Sequence, residues 1–231
     1  MDRLEPKYRH EYKYPISDLE AAVLKERIKV VMPLDAHVGS IGNYLVSSLY
    51  FDDYYDSCLY ENENGINPKE KFRIRLYNND CSRISLECKR KENGKTLKTS
   101  CPITEDQVRL IINGGKPPAN NSMPKLLKRF ISLQYSRELI PKVIVNYIRA
   151  PYSFSLGNVR ITFDSDLSSS SDVKHFLDGN YPTRPIMPIG KLLLEVKFDE
   201  FLPDHIYEIM QLNNFTQTAF SKYYLCRKQN L

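Results

Sequence analysis

A chain of 231 residues, 42% hydrophobic and 26% charged, has the make-up of a folded globular protein rather than a disordered one. Its net charge of +5 favours an anionic partner without demanding one, and no run of about 20 apolar residues offers a membrane span. Five scattered cysteines without a C-x-x-C pair argue against a disulfide framework or zinc site; with no signal-peptide stretch at the start, the expected setting is the cytoplasm and the chain is read as complete in itself.

Strand and helix signals alternate along the chain. Arg9 to Tyr14 predicts a strand, and Ser17-Asp18-Leu19-Glu20 is a capping-box pattern. It opens a helix with apolar Leu19, Val23, Ile28 and Val31 that Pro33 closes. Tyr44 to Phe51 reads as a strand ended by Asp52-Asp53. Lys71 to Tyr77 and Ile84 to Lys91 predict a hairpin through Asn78-Asn79-Asp80. Asn93-Gly94 is a stronger hairpin turn into Thr96 to Ser100. Thr104 to Gln107 is a second capping box, for a helix that stops at Asn113-Gly114-Gly115, and Pro124 to Tyr135 reads as another helix. Lys142 to Tyr152 and Asn158 to Asp164 form a further hairpin around Gly157. Ser168 to Ser171 reads as a loop and Gly179 to Pro188 as a Pro-rich connector. Gly190 to Asp199 is the last strand, followed by helices over Pro203 to Leu212 and Ala219 to Arg227. No repeat and no linker interrupts this order, so residues 1–231 are expected to form one α+β domain.

Several strands carry charge at every second position: Glu11-Tyr12-Lys13, Arg73-Ile74-Arg75, Glu87-Cys88-Lys89, Arg160 to Asp164 and Glu195-Val196-Lys197. Successive side chains leave opposite faces of a strand, so each stretch has one apolar and one ionic face. The ordinary explanation is a solvated sheet face. Two cations ~6–7 Å apart repel by ~2–3 kcal/mol at an effective dielectric of ~20, however, so an enclosed cationic surface calls for an anion. Polyvalent phosphate suits Arg forks and Lys point charges alike. Glu11, Glu87 and Glu195 each precede a lysine by two residues, either as simple salt pairs or as ligands that bring Mg²⁺ or Mn²⁺ to the phosphate. Asp164 shares a face with Arg160, as a further ligand or an ion-pair partner. A curled, mainly antiparallel sheet with its apolar face outward under the helices would place these charges inside a barrel. The dispersed His10, His37, His175 and His205 build no metal or catalytic spacing. There is no phosphate-binding glycine loop, and no RNA-binding signature gives reason to expect nucleic acid. The tyrosines read as core and strand packing.

Seven runs in order, RHEYKY at Arg9, FRIRLY at Phe72, SLECKRK at Ser85, PKVIVNYIRAPY at Pro141, VRITFD at Val159, LLLEVKF at Leu192 and FSKYYLC at Phe220, resemble the VTC domain. That domain is the polyphosphate polymerase module of the vacuolar transporter chaperone proteins, within the CYTH or triphosphate tunnel metalloenzyme superfamily. The resemblance implies an eight-stranded antiparallel β tunnel with a charged interior, flanked by helices. It implies a cationic lining of Lys13, Arg73, Arg75, Lys89, Arg149, Arg160 and Lys222, joined by Lys98 and, from parity, Lys197. Lys13, Arg73, Arg75 and Arg160 would surround the reacting phosphates, and the others would bind the rest of the substrate. Glu195 would hold the Mn²⁺ or Mg²⁺, supported by Glu11 and Glu87. Arg9 stands where many CYTH phosphatases carry the first acid of E-x-E-x-K, which favours the VTC branch over a hydrolase. The implied activity is phosphoryl transfer from a nucleoside triphosphate to polyphosphate. A triphosphatase acting on tripolyphosphate and a non-catalytic polyphosphate- or nucleotide-binding module are the alternatives.

Overall fold

The computed structural model describes residues 7–35, 38, 41–118 and 120–230; His37 lies outside them. The chain begins with β1 (His10–Ser17), which passes directly into α1 (Asp18–Ile28). Ser17 is the hinge: its hydroxyl accepts the Glu20 backbone N–H at 3.3 Å, while its own N–H donates to the Glu20 carboxylate at 2.6 Å. The capping box is formed as expected, and of the expected apolar positions Ile28 is buried and Val31 packs against the core, but Leu19 and Val23 do not join them. Ala21, Leu24 and Ile28 face the sheet, whereas Leu19 and Val23 are exposed. With 100° per residue, positions 19 and 23 fall opposite 21, 24 and 28. The direct exit from β1 decides which side meets the sheet.

The next strand is β2 (Tyr44–Asp52), followed by the short helix α2 (Ser57–Glu63), which the sequence pattern does not announce. Its first turn is held by side chains of the preceding strand end. Asp52 accepts backbone N–H groups of Asp53, Cys58 and Leu59 at 2.9, 2.9 and 3.2 Å, and Asp53 accepts that of Ser57 at 2.9 Å. Then come β3 (Lys69–Tyr77), β4 (Ser85–Glu92), β5 (Lys95–Pro102), α3 (Glu105–Ile112) and α4 (Lys125–Ser136). The β4–β5 turn has Asn93 at φ 48° and Gly94 at φ 80°, the left-handed pair that a tight hairpin needs. The long strands β6 (Ile140–Phe154) and β7 (Val159–Ser170) follow. Ser168 to Ser170, expected as a loop, instead extend β7: they pair with β6, and the Ser169 hydroxyl accepts from Asn230 at 2.8 Å. In the Pro-rich connector, β8 (Arg184–Pro185) pairs with that same end of β7. The chain continues through β9 (Lys191–Phe198), α5 (Asp204–Met210) and α6 (Lys222–Lys228).

The eight long strands form one antiparallel sheet in the order β1-β9-β7-β6-β2-β3-β4-β5. The sheet curls until its two edge strands touch: Arg9 and Thr96 exchange backbone hydrogen bonds of 2.9 and 2.8 Å. This is the α+β curled-sheet architecture expected of a tunnel. On the outer face, α1 and α5 cover β1, β7 and β9, and α3 and α4 cover β2, β3 and β4. The inner face is not ionic throughout. Val46, Val143, Val145 and Tyr147 make an apolar floor there, and Tyr223 and Cys226 of α6 pack on it with Leu59 of α2.

Asp52 joins these inner pieces, because its carboxylate also accepts the Tyr223 hydroxyl and is fully buried. Asp52→Ala strands three backbone donors and one hydroxyl, and the expected loss is about 3 kcal/mol or more of unfolding free energy. Urea unfolding checks this, and a loss below about 1 kcal/mol would contradict the role given to Asp52.

Candidate functional site

The pairing register turns the alternating charges into rows across the inner face. Lys13, Glu195 and Thr162 stand side by side on β1, β9 and β7, and Glu11, Lys197 and Arg160 form the next row. On the other wall, Lys71, Lys89 and Lys98 align on β3, β4 and β5, beside a row in which Arg73 faces Glu87. Between the walls, Tyr44 of β2, Arg149 of β6 and Asp164 of β7 align. These rows surround a cavity of about 790 Å³. Eleven of the twelve site residues expected from the sequence line it: Lys13, Arg73, Arg75, Lys89, Lys98, Arg149, Arg160, Lys197, Lys222, Glu11 and Glu195. Glu87 does not. It lies beneath the lining, only 2% exposed, with Arg73 at 2.6 Å, Lys98 at 3.0 Å and Arg75 at 3.5 Å.

The carboxylates act as anchors for the cations. Glu195 receives Lys222 at 2.6 Å, Lys197 at 2.7 Å, Arg149 at 3.4 Å and Lys13 at 3.9 Å. Burial opposes its ionisation, but Lys197, Lys222, Lys13 and Arg149 outweigh burial and hold its carboxyl well below the usual range. Glu11, with Lys89 at 2.7 Å and Lys13 at 3.3 Å, and Glu87, with its arginines, are held well below the usual range by the same contest. Asp164 takes two 2.7 Å hydrogen bonds from Arg149 and a 2.6 Å contact from Lys222. It is fully buried, an ion-pair partner at the base of the site.

Tyrosine hydroxyls brace the arginines, a role that strand pattern alone does not reveal. Arg73 donates to Tyr50 at 2.8 Å, Arg75 to Tyr147 at 3.1 Å and Arg160 to Tyr44 at 3.2 Å. Further cations also line the cavity: Lys7, Arg9, Lys69, Lys71 and Lys91. Lys69 and Lys71 continue the alternation of Arg73 and Arg75 backwards along β3, and Lys91 continues it beyond Lys89, so period two extended past its obvious stretch would have found them. Among the described residues, fourteen Lys and Arg line the cavity against two lining carboxylates. Such a surface suits a polyvalent anion. Lys71 sits over the Tyr223 ring at 4.8 Å, and burial brings its amine down to about 8; burial brings Lys89 down to about 7 despite Glu11.

His10 touches the cavity rim and stacks on Phe198 with ring centres 4.9 Å apart. None of the cysteines lines the cavity, and burial pushes the Cys88 thiol up to about 11 and that of Cys226 to about 12. Thiol nucleophiles are therefore not part of this site. Among the described residues no three His, Cys, Asp or Glu side chains form a ready-made metal cage. Glu11 and Glu195 nevertheless both reach the Lys13 ammonium from the cavity wall. One or two carboxylates completed by substrate phosphate oxygens is the donor set that Mg²⁺ and Mn²⁺ accept, so the residues fit a cation that arrives with its phosphate.

The VTC domain matches residues 8–230. The chain belongs to the VTC-domain family. No curated protein matches the sequence. Among solved structures, it is similar to a candidate adenylate cyclase from Bacillus halodurans at 17% identity and TM-score 0.53, covering 94% of this chain and 96% of that one. It is also similar to a candidate adenylyl cyclase from Hippeastrum described by a dominant triphosphatase activity, at 12% identity and TM-score 0.52, covering 97% of each chain. A protein from Pyrococcus horikoshii matches at 15% identity and TM-score 0.51, covering 96% of this chain and 99% of that one. These likenesses bear on the fold of the VTC-domain chain, a curled antiparallel sheet flanked by helices. No helix among the described residues is long and apolar enough to cross a membrane.

The lowered lysines give the VTC-domain cavity a pH signature. A bound polyanion favours the ammonium forms of Lys71 and Lys89, so its binding takes up protons where the free amines are partly neutral. Affinity for tripolyphosphate is expected to fall as pH rises from about 7 to 9, with proton uptake visible as a buffer-dependent heat in titration calorimetry. Lys71→Met should shrink that uptake, and uptake that stays undiminished would remove Lys71 from the account.

Proposed function

We propose that this protein transfers phosphoryl groups along inorganic polyphosphate, using a nucleoside triphosphate as donor. In the reaction, a terminal oxygen of the polyphosphate attacks the γ-phosphorus. The bond to the β–γ bridging oxygen breaks, and a nucleoside diphosphate leaves. The observation that carries this reading is the gathering of eleven expected residues around one cavity with fourteen cations and no thiol nucleophile. Phosphoryl transfer depends mainly on alignment and charge stabilisation, which is what such a wall provides.

Arg73, Arg75, Arg160 and Lys13 would hold the reacting phosphates, with the guanidiniums of the first three fixed by Tyr50, Tyr147 and Tyr44 before substrate arrives. Lys89, Lys98, Arg149, Lys197 and Lys222 would bind the remainder of the chain. Mn²⁺ or Mg²⁺, held by Glu195 with Glu11 beside it, would neutralise charge on the phosphate oxygens. Glu87 would keep Arg73, Arg75 and Lys98 in place rather than touch the cation.

Hydrolysis is the competing reading, and the likeness to the Hippeastrum protein keeps it open. Water needs a general base, whereas an anionic phosphate end needs little help. Before substrate arrives, the neighbouring cations hold Glu11, Glu87 and Glu195 well below the usual carboxyl range, and carboxylates so held are poor proton acceptors. The five unpaired cysteines accord with a reducing cytoplasm, where nucleotides are at hand.

Incubation of the protein with ATP and Mn²⁺ should yield polyphosphate on a gel together with ADP. Glu195→Gln should lower the rate by about 100-fold or more. Orthophosphate release without polymer would favour the triphosphatase. Tight binding without turnover under either metal would leave a binding module.

A further inference from the structure

Thr162 stands out in the layer that holds Glu195. It is directly opposite Glu195 in the β7–β9 ladder, so the two side chains leave the same face of the sheet. Its side chain is fully buried, yet the hydroxyl has no hydrogen-bond partner among the described residues. A buried hydroxyl without a partner is unfavourable and calls for a reason. The ion-pair partners of Glu195 among the described residues are four cations, Lys13, Arg149, Lys197 and Lys222, and all four also line the cavity. A polyphosphate entering the cavity competes with Glu195 for those same four groups. To the extent that they turn to the phosphate, Glu195 is left nearly buried with fewer partners, at the moment when its orientation matters.

We infer that Thr162 is a positioning residue for Glu195, supplying a hydroxyl donor to the carboxylate when its cations engage a bound phosphate and divalent cation. The inference rests on the phosphoryl-transfer reading and adds to it a residue outside the cavity lining. Valine is the informative replacement, because it keeps the branched shape and removes only the hydroxyl. A hydroxyl that serves the empty protein would make Thr162→Val destabilising. A hydroxyl kept for the loaded state makes it neutral or stabilising there, since an unsatisfied polar atom is replaced by a methyl group.

The test measures Mn²⁺ binding by electron paramagnetic resonance in the presence of tripolyphosphate, alongside the melting temperature of the ligand-free protein. Removing a group that orients a metal-holding side chain typically weakens metal affinity by about 10-fold or more. Thr162→Val should therefore weaken Mn²⁺ binding by about that factor while leaving the ligand-free melting temperature unchanged or raised, and Thr162→Ser should restore binding. Wild-type Mn²⁺ affinity in Thr162→Val, or a lowered melting temperature with unchanged affinity, overturns the role of Thr162 alone. Failure of the unsubstituted protein to bind Mn²⁺ with tripolyphosphate overturns the underlying reading and this inference with it.

Discussion

Mutual repulsion among enclosed cations is the constraint on which the rest of this structure depends. Among the described residues, fourteen Lys and Arg side chains face one cavity, and a pair of them ~6–7 Å apart costs ~2–3 kcal/mol at an effective dielectric of ~20. The fold meets that cost with a few deeply placed carboxylates, each serving several cations. Glu195 serves four, Glu87 three, and Asp164 both Arg149 and Lys222. The acids are fewer than the cations they steady, so the cavity keeps a large positive surplus that a polyvalent anion can neutralise.

That arrangement explains why the protein is a curled sheet rather than a flat one. Rows such as Lys13–Glu195–Thr162 run across adjacent strands, so the pairing register sets which charges are neighbours. Curling then brings β1 against β4 and β5, where Glu11 reaches Lys89 and Arg9 bonds to Thr96. The C-terminal helix completes the wall from inside. Tyr223 and Cys226 hold it on an apolar floor, and Lys222 at its first turn enters the charged layer.

Much of this was legible in the chain because charge at every second residue leaves a period that burial does not blur. The two capping boxes and the Asn93-Gly94 turn were legible for the same reason: each is decided by neighbours within a few residues. What escaped depends on distant parts of the molecule. The buried side of α1 is chosen by its exit from β1. The helix α2 exists because Asp52 and Asp53 catch its N–H groups, and the serines of β7 are held by Asn230. The sinking of Glu87 below the lining follows from three cations closing over it. No local pattern says that Tyr44, Tyr50 and Tyr147 spend their hydroxyls on arginines, or that the Thr162 hydroxyl lacks a partner among the described residues.

The contact between Lys13 and Phe220, where the ammonium donates to the backbone carbonyl at 2.7 Å across 207 positions of chain, has a kinetic consequence. The cavity joins the first strand to the last helix, so it cannot exist in a partly folded intermediate that lacks either. Contacts of such long sequence separation form late, because loop closure must precede them. An abundant polyanion therefore finds its full complement of partners only on the finished molecule. Mass action then adds to the stability of that molecule without holding earlier, incomplete species together.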